Sequence, residues 1–176
     1  MDGFVRQRLS QALFHPFVVI AISGIATLIF VIAMLLLPRF AGEGRFYLLY
    51  YHAPIAFAFV TYLFDRAKQW RAIRPRRWAI EASVVGLALS RTLMPVPFIS
   101  GHALFLTYFI LTASSQIARW VAVLVMLDVI YVKLVFVQDL TLLGGVAVGL
   151  LAAFLVRYDK IKARPPGSTI RIDDVL

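Results

Sequence analysis

Apolar residues in this chain fall in six long blocks separated by short polar stretches, not in the period-two alternation of a half-buried strand. A hydrocarbon layer about 30 Å thick takes about 20 helical residues to cross. The blocks at 16–37, 46–64, 78–97, 102–112, 120–137 and 140–156 meet or approach that length. They predict six membrane-spanning helices. The first block is too long and too weakly punctuated for a removed leader, and no small-residue cleavage site follows it. The second is aromatic at both ends, as membrane interfaces prefer. The sixth carries Gly144, Gly145, Ala147 and Gly149, a face suited to close helix packing. Pro165-Pro166-Gly167-Ser168 stops the last helix, which predicts a polar tail over 165–176, loosely ordered or docked on a partner. The expected fold class is an all-α integral membrane protein, a six-helix bundle in one domain over 1–164.

Composition excludes the soluble alternatives. The chain has 176 residues, of which 61% are hydrophobic and 15% charged, with a mean hydropathy of +0.85. Soluble domains carry roughly 45–50% apolar and about 25% charged residues. The absence of cysteine removes disulfide scaffolds, thiolate nucleophiles and Cys-ligated metal centres from consideration. The net charge of +9 then reports topology. With both termini cytoplasmic, fourteen of the eighteen Lys and Arg fall inside, only Arg39 and Arg45 outside, and Arg91 and Lys133 within spans. That split satisfies the positive-inside rule. The chain reads as a multi-pass protein of a bacterial-type cytoplasmic membrane. The basic run from Arg66 to Arg77 reads as a cytoplasmic loop touching anionic lipid, with no nucleic acid as partner.

Ionisable groups inside spans mark sites or internal pairs by default. In this topology Arg91, Ser100, His102, Lys133 and Asp139 come from four separate stretches yet share one depth near the outer face, and His52 lies level with them. Two cations, a hydroxyl, the Gly101 amide and an imidazole at one depth suit an anion, and the helix start at Gly101-His102 adds its own donors. Arg91 and Lys133 can alternatively snorkel to head groups. Asp128, near mid-bilayer, is expected to pair within the bundle, with Lys133 or Arg91 as candidates.

This layout resembles the type 2 phosphatidic acid phosphatase family, lipid phosphatases related to vanadium haloperoxidases. Ile99-Ser100-Gly101-His102-Ala103 is similar to the family's second motif, and Ser90-Arg91-Thr92-Leu93-Met94-Pro95-Val96-Pro97 to a contracted first motif. The third motif would fall at Val132-Lys133, with Lys133 in place of an arginine. The resemblance implies His102 as general acid toward the leaving alcohol, and Arg91, Ser100, Gly101 and Lys133 as holders of the phosphoryl oxygens. The implied nucleophile is a third-motif histidine, but Asp139 or Val135 stands there, depending on the register. The resemblance therefore implies a lipid-phosphatase-like protein with impaired catalysis, binding a phosphorylated or polar head group or serving as a subunit of a membrane assembly. The alternatives are an active phosphatidate or polyprenyl pyrophosphate phosphatase with a divergent third motif, and a haem- or pigment-binding subunit with His52 and His102 as ligands. The leading reading needs no cofactor and no metal. Its partners are membrane lipids and other membrane subunits.

Overall fold

The computed structural model describes residues 15–36, 52–69, 75–93, 99–137 and 140–162, and every described element is helical. The helices are α1 (Pro16–Leu35), α2 (Ala53–Gln69), α3 (Pro75–Leu93), α4 (Gly101–Thr112), α5 (Gln116–Tyr131) and α6 (Thr141–Lys162). A π-helical segment, Val132–Val137, continues α5. Two windows, Pro16–Ala33 and Thr141–Tyr158, are long and apolar enough to cross a membrane, with mean hydropathies of 2.6 and 1.8. The helix Gly101–Thr112 is apolar but shorter.

Local chemistry sets the element starts. Pro16 and Pro75 occupy first helical positions, where a missing N–H costs nothing. Ser100 and Ser115 cap α4 and α5, their hydroxyls accepting from the amides of Ala103 at 3.4 Å and Ala118 at 3.1 Å. Several helices outrun the apolar blocks. The second continues to Gln69 and the sixth to Lys162, because their last turns carry polar groups that find partners or reach the rim. The expected start of the second block before 52, the end of the third beyond 93, and the tail 165–176 lie outside the described residues.

Contacts along the chain make the helices alternate in direction. The starts of α4 and α6 are joined where the Ser100 amide donates to the Thr141 carbonyl at 2.9 Å. At the other end Arg157 of α6 donates to the Leu111 carbonyl near the end of α4. Asp65 and Arg66, in the last turns of α2, meet Thr112 and Ser114 there as well. The described chain therefore begins, at Pro16 beside Asp65 and Ser115, and ends, at Lys162, on the same side of the bundle.

The short helix α4 is the centre. Gly101 and Ala103 through Phe109 are all buried, packed by α6, α5 and α3. Glycines allow the close approach. A Cβ on Gly101 would meet the Ala88 carbonyl oxygen at 2.5 Å. One on Gly149 would meet the Leu104 carbonyl oxygen at 2.7 Å, and one on Gly145 would collide with the carbonyl oxygen of Ser100. An aromatic cluster fills the space between α2 and α4, with Tyr62 edge-on to both Phe105 and Phe109 at 5.2 Å between centroids. α1 is peripheral. It packs on α2, where Thr61 Oγ1 donates to Ser23 Oγ at 3.2 Å, and leaves Phe17, Ile25, Leu28 and Ile29 outward.

Candidate functional site

At the end where α4 and α6 begin, groups from four parts of the chain are tied into one cluster. Three links build it. The Ser100 amide on the Thr141 carbonyl sets two helix N-termini side by side, so their positive dipole ends face the same way. Lys133 Nζ then donates to Thr141 Oγ1 at 3.2 Å, which places a buried ammonium, 6% exposed, against the same helix start. The π-helical segment positions it. The Val132–Val137 segment is a π-helix that carries Lys133, and such segments are frequent at functional sites.

The third link is aromatic. The rings of His102, on the first turn of α4, and His52, just before α2, lie 5.7 Å apart between centroids at 70°. They touch edge to face, so no planar macrocycle fits between them without displacing one ring. The cluster thus brings together His52, Ser100, Gly101, His102 and Lys133, with Thr141 as the joint that the sequence alone did not single out. Its composition, an ammonium, two imidazoles and two sets of helix-start amides, is that of an anion receptor.

Other expected members fall elsewhere. Arg91 follows Ala88 by three residues in α3, and the Ala88 backbone abuts Gly101, but the Arg91 side chain and Asp139 lie outside the described residues. Val135, the nucleophile position in one register, is 54% exposed and on the outer surface of the bundle, away from Lys133. Asp128 does not meet Lys133, one of its two expected partners, and the other, Arg91, has its side chain outside the described residues. Lys133 bonds Thr141 instead, α3 does not pack substantially on α5, and Asp128 Oδ2 is buried without a hydrogen-bond partner among the described residues.

A second polar cluster occupies the opposite end. The Arg66 guanidinium donates from Nε to Glu81 at 2.7 Å, from Nη1 to Asp65 and the Thr112 carbonyl at 3.1 Å, and from Nη2 to Thr112 Oγ1 at 2.5 Å. Glu81 also accepts from Arg77 and from the Tyr62 hydroxyl. The Asp65 carboxylate accepts from the amides of Ser114 and Ser115 and from Ser114 Oγ at 2.6 Å. This corrects the loop reading for the two ends of the basic run, Arg66 and Arg77, while residues 70–74 lie outside the described residues. Arg66 is 2% exposed, its charge is spent on carboxylates, and Arg66 and Arg77 both lie in helices. The sequence holds one local signal of it, the Arg77 and Glu81 pair at helical spacing. Its saturated hydrogen bonding fits a clamp, not a binding site. A cleft of about 170 Å³ opens beside it, lined by Pro16, Thr61, Asp65, Lys68 and Gln116, with mostly apolar walls.

Compared with known proteins, the chain matches no family model, no curated protein and no solved structure.

Proposed function

We propose that the chain is a six-span, lipid-phosphatase-like membrane protein that holds a phosphorylated or polar lipid head group at the Ser100 end, facing the outer leaflet, with both termini cytoplasmic. The observation that carries this reading is the joining of Lys133, through Thr141, to the capped start of α4 that bears His102. Charge-assisted contacts from an ammonium and helix-start amides stabilise phosphoryl oxygens, and the same groups stabilise charge during phosphoryl transfer. The position that a nucleophilic histidine would fill holds Val135 or Asp139, so binding outlasts turnover in this reading.

The test uses purified protein in detergent with phosphatidate, phosphatidylcholine and a polyprenyl pyrophosphate as probes. Binding selective for the two lipids with terminal phosphate, weakened about tenfold (about 1.4 kcal/mol) in both Lys133→Leu and His102→Ala, with no phosphate released, supports it. Equal binding of all three lipids, unchanged in both variants, overturns it. A second reading draws on the His52–His102 contact, which brings a second imidazole to the site. Phosphate release lost in both His102→Ala and His52→Ala would establish an active phosphatase.

A further inference from the structure

On α5 and its π-helical extension, Trp120, Leu124, Leu127, Tyr131 and Leu134 follow one another at intervals of four, three, four and three residues. All are outward, from 49% exposed at Leu134 to 63% at Leu124. That spacing is the a and d seam of a left-handed helix pair. Asp128 stands on the flank of this seam, half-exposed, between Leu124 and Tyr131. It lies twelve residues into α5, about 18 Å along the axis at 1.5 Å per residue. In the proposed orientation that is close to mid-bilayer. Its Oδ2 is buried and has no donor among the described residues, while the residue as a whole is partly exposed.

We propose that this seam docks a transmembrane helix of another protein that carries a lysine or arginine at mid-membrane depth, with Asp128 as its acceptor. A carboxyl in hydrocarbon is costly unless it is paired, and this one stands on the flank of a seam already spaced for a helix. A second copy of this chain fits less well. In a parallel pair along this seam the flank opposite Asp128 holds Val123 and Ile130, neither of which has a donor.

The experiment reconstitutes labelled protein in phosphatidylcholine vesicles, with insertion verified by flotation. It measures energy transfer to a 24-residue Leu/Ala transmembrane peptide carrying one central lysine, and to the same peptide with leucine there. The expected result is association at least about tenfold tighter with the lysine peptide. That preference is expected to vanish in Asp128→Leu and to shrink in Asp128→Asn, while Leu127→Ala weakens both peptides alike. Equal association of the two peptides, no association with either, or a preference that survives Asp128→Leu overturns the proposal. Transfer between two labelled copies that Asp128→Leu abolishes would assign the seam to self-association and overturn it also. Failure to insert would instead count against the membrane-spanning reading on which the proposal rests.

Discussion

The guanidinium of Arg66 and the carboxylate of Glu81, fifteen residues apart on consecutive helices, meet at 2.7 Å with both side chains at most 3% exposed. Tyr62 joins them from below, with its ring 4.9 Å from the guanidinium carbon and its hydroxyl on the same carboxylate. A pair buried this deeply adds little over an apolar replacement of both partners, but removing one partner strands the other.

Glu81→Ala should therefore destabilise the protein by up to about 3 kcal/mol, because Arg77 and Tyr62 lose this acceptor and Arg66 keeps Asp65 as its carboxylate partner. Arg66→Met combined with Glu81→Leu should recover much of that loss. Thermal unfolding in detergent, followed by the aromatic near-ultraviolet signal, gives both values. A double variant no more stable than Glu81→Ala would mean that the pair contributes net stability of its own.

The glycines separate into two kinds. Gly145→Ala and Gly149→Ala should each lower stability, because the added Cβ runs into α4 backbone that cannot move aside. Gly24→Ala and Gly86→Ala place a methyl in open space and should be neutral, or stabilising by up to about 1 kcal/mol through helix propensity. Melting temperatures of the four single variants decide it. Equal shifts in all four would remove the close approach of α4 and α6 as a source of stability.

Asp65 serves as an external cap for the α4–α5 turn. Asp65→Ala takes the carboxylate acceptor from the amides of Ser114 and Ser115 and one partner from Arg66, so it should cost more than Ser115→Ala. The hydroxyl lost in Ser115→Ala covers only the Ala118 amide, a loss of about 1 kcal/mol. Hydrogen exchange at 114–118 should quicken in both variants, and most in Asp65→Ala.

Much of the fold is legible in the apolar blocks, because an uninterrupted apolar run in a helix-forming chain has few other outcomes. The helix ends are less so. Leu63 and Phe64 close an apolar block, yet α2 runs on through Asp65 and Arg66 because these find partners on α3 and on the α4–α5 turn. That pairing is tertiary. Counting positive charge along the chain assigns Arg66 to a solvated loop, and nothing within one helical turn names Glu81 as its acceptor. The Ser100 end was easier to foresee. Ser100 caps the helix that its residue type predicts, and topology alone puts His52, His102 and Lys133 at one level. Thr141 escaped notice because a threonine at a helix start carries no chemistry until a lysine reaches it.

Because the chain has no cysteine, single replacements report the proposed topology directly. Leu140→Cys, 72% exposed at the Ser100 end, should react with a membrane-impermeant maleimide in intact cells. Gln116→Cys, exposed at the other end, should react only after permeabilisation. The reverse pattern would turn the protein over and move the head-group site to the cytoplasmic leaflet.

α4 has only 12 residues, about 18 Å of helix, and a polar layer meets each of its ends. In the proposed membrane-spanning arrangement, with a hydrocarbon layer about 30 Å thick, the apolar septum inside this protein would be thinner than the lipid around it. A transmembrane voltage would then fall most steeply along Leu104, Phe105, Tyr108 and Phe109. An ion bound beside Lys133 would feel a large share of it, at about 2.3 kcal/mol per charge for each full 100 mV. If the protein spans the membrane as proposed, the same short helix that brings the two clusters close would act as the dielectric of a small capacitor, and the proposed head-group binding at the Ser100 end should respond to membrane potential.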